Sequence, residues 1–127
     1  MEEGQCAECH AKTSLSYMLS FSITSQLQTL FLREEFTPNL SYRFNRGKIG
    51  EHSVEDIDDG DHYKEQQAYG FLNDPWAISF MWNSDGAQLY KSSQKSIWPL
   101  YLVVNELPYA MRYRQENVIM AGLWCAL

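Results

Sequence analysis

From Trp76 to Trp124 the apolar and polar positions follow the rhythm of a sheet. In Trp76-Ala77-Ile78-Ser79-Phe80-Met81-Trp82-Asn83 the alternation puts Ile78, Phe80 and Trp82 on one face and Ser79, Met81, Asn83 and then Asp85 on the other. Gly86 allows a turn, and Lys91-Ser92-Ser93-Gln94-Lys95 is a polar connector. Ile97 to Val104 reads as a second strand. Pro99 has no N–H for a ladder, which pushes that end towards an edge or a bulge. Leu107-Pro108 breaks the run, a short helical turn fits Tyr109 to Gln115, and Asn117 to Trp124 is a third apolar run. Short connections make a three-stranded antiparallel meander the simplest topology.

Upstream the period lengthens. Ile23, Leu27, Leu30 and Phe31 recur at helical spacing, with Thr24 or Ser25 as the N-cap. Pro38 interrupts, and a second short helix is predicted through Leu40, Tyr42 and Phe44, ending near Asn45-Arg46-Gly47. Residues 47–65 are acidic and read as a solvated loop. The chain therefore divides into a polar segment (1–14), a helical segment (15–46), an acidic loop (47–75) and a sheet-forming part (76–127), an α+β arrangement. There is no internal repeat and no low-complexity tract.

Composition narrows the setting. The 127 residues are one domain's worth of chain, and 45% apolar residues with 4 Trp, 8 Tyr and 6 Phe suffice for a core. No apolar run approaches the ~20 residues that cross a bilayer, and Met1-Glu2-Glu3 does not begin a secretory signal. An intracellular chain without membrane attachment is expected, and the three cysteines fit that compartment. The net charge of -6 is local: 7 of the 16 acidic residues and 1 of the 10 basic ones lie between Glu51 and Glu65, leaving the remainder neutral. No uniformly basic nucleic-acid face is present in the composition.

Four groups of residues invite chemistry. Cys6-Ala7-Glu8-Cys9 has the spacing of half a tetrahedral zinc site, and a complete site needs four ligands. His10 is adjacent to Cys9, which strains joint coordination, and His52 and His62 lack ligand spacing; inert cysteines are the competing reading. Glu55-Asp56-Ile57-Asp58-Asp59-Gly60 suggests a calcium loop but fails in register, because Gly60 at the sixth position puts Ile57 at the third. Asp85 is either a turn residue before Gly86 or a metal-binding carboxylate at a sheet edge. Metal-dependent phosphodiester chemistry needs converging carboxylates. Only Glu106 and Glu116 follow Asp85, and the pattern places neither on its face. Lys91, Lys95, Arg112 and Arg114 read as solvated surface or phosphate contacts, and the strand Trp and Tyr residues as core.

The order of residues adds what periodicity does not. Ile78-Ser79-Phe80-Met81-Trp82-Asn83-Ser84-Asp85-Gly86, Leu89-Tyr90-Lys91-Ser92-Ser93, Ser96-Ile97-Trp98-Pro99-Leu100-Tyr101, Asn105-Glu106-Leu107-Pro108 and Glu116-Asn117-Val118-Ile119-Met120-Ala121-Gly122-Leu123-Trp124 closely resemble, in that order, the transposase family of CACTA (En/Spm-type) elements. Looser similarity extends upstream through Leu27–Phe31, Tyr42-Arg43-Phe44 and Glu55–Gly60. The resemblance implies a ribonuclease H-like fold, here incomplete, that carries out cut-and-paste transposition of transposon DNA in the nucleus. It implies an acidic trio holding two Mg or Mn ions, with Asp85 as the first member and the other two downstream of Leu127. Cys6 and Cys9 resemble the tail of a zinc-ribbon-like segment. A lone carboxylate cannot organise two metals, so no nuclease or transposase activity is expected of this chain alone. Exposed strand edges are expected to favour self-association. Two rival readings are a domesticated module that binds protein or nucleic acid without catalysis, and a small zinc-binding domain.

Overall fold

A β-strand needs a partner as well as a pattern, and here the partners lie up to 110 residues apart. A computed structural model of the chain describes residues 4–5, 12–13, 16–88 and 96–126. β1 (Gly4–Gln5) and β2 (Lys12–Thr13) pair as a small antiparallel ladder. They are followed by β3 (Ser16–Ser20), α1 (Ile23–Phe31), α2 (Phe36–Asn39) and α3 (Tyr42–Asn45). A 3-10 turn at Ile57–Asp59 leads into α4 (Asp61–Ala68). Then come β4 (Phe80–Ser84), β5 (Ala87–Gln88), β6 (Ser96–Val104), α5 (Tyr109–Arg112), a 3-10 turn at Gln115–Asn117, and β7 (Ile119–Ala126). The α+β class stands.

β4, β6 and β7 form an antiparallel meander, but the sheet is wider than three strands. Its order is β3-β7-β6-β4, and β5 pairs with the far end of β6. The addition is β3, which lies within the stretch expected to be helical. Its residues pair with β7 from Ser16↔Ala126 to Ser20↔Gly122. Ser-Tyr-Met-Leu-Ser is exposed throughout and carries no one-sided alternation, so only the distant partner makes it a strand. Beyond it, Gln26 of α1 continues the ladder with its side chain. Its Nε2 donates to the Met120 carbonyl (2.9 Å) and its Oε1 accepts from the Met120 N–H (3.0 Å).

The helices close over one end of the sheet. Ser22, not Thr24 or Ser25, caps α1: its hydroxyl accepts from the Ser25 N–H at 3.1 Å. The helical spacing of Ile23, Leu27 and Leu30 then delivers those side chains to a core with Phe36, Leu40, Val104, Leu107 and Ile119, joined by Ile78 and Leu102. Each fully buried large side chain contributes roughly 1.5–3 kcal/mol relative to exposure. Phe31 and Phe36 pack edge to face, ring centres 5.2 Å apart. Pro38 sits inside the single turn of α2, where an N–H is not required of it.

Of the two outcomes expected at Pro99, an edge or a bulge, the edge is not found and an irregularity next to it is. Pro99 lies in β6, an interior strand, so it marks no sheet edge. The irregularities gather beside it instead. A register shift separates Leu100 from Tyr101 against β7, and the ladder to the β4 side breaks opposite Pro99.

Candidate functional site

Asp85 leaves β4 at the point where its ladder fails. Pairing runs from Phe80↔Val104 to Ser84↔Leu100 and resumes at Ala87↔Ile97. The same register holds on both sides, which sets Asp85 across from Pro99 and Gly86 across from Trp98. Asp85 is exposed. Gly86 is required for a reason other than a turn. A Cβ there would come within 2.6–2.8 Å of the Trp98 indole carbons, so only glycine admits the ring.

The two acidic residues that follow Asp85 are elsewhere. Glu106 accepts from the Ser79 N–H (2.8 Å), and Ser79 begins the residues that lead into β4 from its other end. Six residues of extended chain separate Ser79 from Asp85, about 20 Å. Glu116 is exposed and precedes β7 near that same far end. Neither joins Asp85.

Glu106 is instead the centre of a buried polar cluster. Its carboxylate also accepts from the Tyr63 hydroxyl (2.8 Å) and the Ser79 hydroxyl (2.7 Å), and lies 3.3 Å from Arg43 Nη1. Arg43 further donates to Tyr63 (3.1 Å) and to the carbonyls of Ala77 (3.0 Å) and Asp74 (2.7 Å). Burial first, and then the Glu106 charge, hold the Tyr63 phenol protonated far above its ordinary range. The cluster ties α3, α4 and the approach to β4 to the turn after β6. Arg43 Nε and Asn105 Oδ1 are buried there without a hydrogen-bond partner among the described residues, which reduces its net worth.

The acidic segment is folded, and this corrects the reading of residues 47–65 as a solvated loop. Asp56 and Asp59 cap the 3-10 turn at Ile57–Asp59. Asp56 accepts from the Ile57 N–H (2.7 Å), and Asp59 accepts from the N–H groups of Glu55 (2.8 Å) and Asp56 (3.1 Å). The remaining oxygens take cations. Arg112 grips Asp56 bidentately at 2.7 and 2.9 Å, Arg46 pairs with Asp58 at 3.0 Å and also with Asp59, and Lys48 reaches Asp59 at 2.6 Å. Arg112, expected at the surface, is buried; Arg114 is exposed as expected. The calcium-loop reading loses further ground, because these oxygens are already engaged. Sequence reasoning missed Arg43, Arg46, Lys48 and Tyr63, since nothing in their immediate neighbours shows which distant groups they meet.

These pairs imply a pH dependence. The Lys48 hydrogen bond, working against burial and aided by two backbone N–H groups and Arg46, holds Asp59 well below the usual carboxylate range. Burial pushes Asp56 up, but Arg112 outweighs it and leaves that carboxyl lowered too. Groups with lowered folded-state values add stability above their unfolded value, near 3.8, and lose it as pH falls towards the folded value. Thermal denaturation should therefore show a flat melting temperature from neutral pH to about 5 and a progressive fall below about 4. In Asp56→Asn the neutral-pH value should be lower and the acid fall shallower. A melting temperature unchanged in acid would mean that the pairs contribute nothing.

Three strand tryptophans are not core. Trp82, Trp98 and Trp124 are 68%, 45% and 47% exposed. With Met18, Ser84 and Leu100 they line an open depression of about 380 Å³ across the sheet. Among the described residues no Lys or Arg lines it, and a groove for single-stranded nucleic acid pairs stacking rings with cations.

The remaining candidates divide simply. Cys6, Cys9, His10, Lys91 and Lys95 lie outside the described residues. His52 and His62 are exposed. Among the described residues no group of three or more His, Cys, Asp or Glu is arranged to hold a metal ion, and no helix is long and apolar enough to cross a membrane. Compared with family models, curated proteins and solved structures, the chain matches none.

Proposed function

We propose that residues 76–127 are the opening of a ribonuclease H-like transposase core of the CACTA type, with Asp85 at the position of its first metal-binding carboxylate. The observation that supports this most is the setting of Asp85: exposed, at the exit of the first strand of an antiparallel meander, and outside the ladder. In a complete enzyme of that family, three carboxylates hold two Mg or Mn ions that activate the nucleophile and stabilise the leaving oxygen. Among the described residues, Asp85 is the one carboxylate assigned to the site. Glu106 is committed to Arg43 and Tyr63, so no step of phosphodiester chemistry can be written through Asp85 alone. No metal-dependent cleavage of DNA is expected of this stretch by itself.

Recognition of transposon DNA by the complete enzyme would draw little on the cations seen here. Five of the seven Lys and Arg residues with described side chains already pair with carboxylates. Phosphate contacts through those five would have to displace an internal partner. The reading is tested by determining the transcript sequence downstream of the Leu127 codon. An in-frame continuation with two further acidic motifs would complete the site; a continuation lacking both would remove the assignment of Asp85.

One observation favours a second reading, a retained interaction module without catalysis. The three-tryptophan depression is the kind of exposed apolar patch that marks a contact site for another protein.

A further inference from the structure

The helices cover one end of one sheet face and leave the other end bare. Val104 and Leu102 lie in or against the helical core, and the same alternation along β6 continues to Leu100 and Trp98, which line the tryptophan depression. Cross-strand pairing sets Trp124 beside Trp98 and Met18 beside Trp124, so the bare end spans β4, β6, β7 and β3. Two glycines keep its floor low. A Cβ on Gly122 would stand 2.6 Å from Met18 Cε, and one on Gly86 2.6 Å from Trp98 Cζ2, so each of these side chains occupies the space over a glycine. Trp82, at 68%, is the most exposed of the three rings. The Trp98 indole N–H already donates to Ser96 Oγ (3.3 Å), so covering that ring strands no donor.

We infer that this bare end binds a second copy of the chain, sheet face to sheet face about a two-fold axis, with Trp82 of each copy over the hollow of the other. The inference rests on the reading of the depression as a contact site and names its occupant. Charge is the first argument. Met18, Trp82, Ser84, Trp98, Leu100 and Trp124 carry none, while the acidic segment is tied through Asp56 to Arg112 of α5, beyond the opposite end of β6. Two copies can therefore meet here without bringing like charges together, whereas a charged partner would find nothing to pair with. Area is the second. Taking about 250 Å² for a whole tryptophan, the three rings at 68%, 45% and 47% expose about 400 Å². Two facing copies cover twice that, and Met18 and Leu100 carry the total towards about 1,000 Å², enough for a weak, reversible dimer and too little for an obligate one. Composition is the third: tryptophan and methionine are enriched at the centres of such interfaces, and a two-fold contact needs a face complementary to itself.

The test is sedimentation equilibrium of the whole 127-residue chain from about 1 μM to 1 mM. A monomer–dimer equilibrium that stops at two is expected. Trp82→Lys sets a charge against the facing copy and should raise the dimer Kd about tenfold or more. Trp82→Thr, which keeps a strand-forming residue, should weaken the dimer likewise. Because Trp82 is exposed, both variants should melt as wild type does when dilute. Leu19→Lys puts a charge on the edge strand β3 at a position that alternates with Met18, and should leave the dimer within about twofold of wild type. A chain that stays monomeric to about 1 mM overturns the inference. So does a dimer that survives both Trp82 variants, or one that Leu19→Lys abolishes, since either places the association elsewhere. Acrylamide quenching of the dilute chain in a Trp76→Phe background then tests the reading beneath. Accessible indoles leave the contact site standing for a different partner, and shielded indoles remove it together with the inference.

Discussion

Glu106→Gln is expected to destabilise the chain by about 3–5 kcal/mol, the range for removing one partner of a buried ion pair. The change is nearly isosteric, so a cavity is not the cause. It leaves the Arg43 guanidinium buried without a counter-charge and replaces one carboxylate oxygen by a donor. At the Oε1 position that donor would face the Tyr63 and Ser79 hydroxyls, and at the Oε2 position the Ser79 N–H, all of which now give hydrogen bonds to Glu106. The Glu106 side chain is fully buried and that of Arg43 2% exposed, so water cannot compensate either of them. Domains of this size are stable by about 5–15 kcal/mol, so roughly a fifth or more of the total is at stake. Urea unfolding measures it: the midpoint should drop sharply in Glu106→Gln. Glu116→Gln, at an exposed position, should stay within about 0.5 kcal/mol of wild type. Equal midpoints for wild type and Glu106→Gln would show that the cluster does not hold the fold together.

The second large effect concerns the acidic segment. Arg112→Met keeps an unbranched stem and removes the fork that binds Asp56 Oδ1 and Oδ2 and the Leu107 carbonyl at 2.9 and 3.1 Å. A cost of about 2–4 kcal/mol is expected, most of it from stranding a carboxylate whose side chain is 10% exposed and a buried carbonyl. Asp56 and Arg112 are 56 positions apart, so the loss should also loosen the capped turn at Ile57–Asp59 before the sheet melts. Limited proteolysis should then cut first within residues 50–60 in the variant and not in wild type. The double change Asp56→Asn with Arg112→Met should cost less than the two single changes added together, because each alone leaves the other partner orphaned. Strict additivity would mean that the two residues do not depend on one another.

What the sequence discloses depends on how local each cause is. The β4–β6–β7 meander is legible because strict alternation over Ile78–Asn83 and the apolar runs near Ile97 and Val118 act over a few residues. α1 is legible for the same reason, and its cap was misplaced by two or three residues only because several hydroxyl residues compete there. β3 is hidden: its pairing residues lie at the other end of the chain. The ion pairs are hidden too, since an Asp beside an Asp looks solvated until an Arg from a distant turn arrives. Gly86 suggests a turn by its neighbours alone, whereas its necessity comes from a tryptophan across the strand. Asp85 itself is legible as a candidate only through the family resemblance; its strand-end position would otherwise suggest an ordinary turn. Its exposure and its place in the ladder gap are structural facts that no periodicity foretells.

In the proposed reading Asp85 is one carboxylate of a larger site, and neither Glu106 nor Glu116 stands beside it. The most direct measurement is cleavage of labelled duplex DNA by the purified chain in Mn²⁺, with Asp85→Asn alongside. The predicted result is no cleavage above that of the metal alone, and no difference between the two proteins. Metal-dependent cleavage by the wild-type chain that Asp85→Asn abolishes would contradict it.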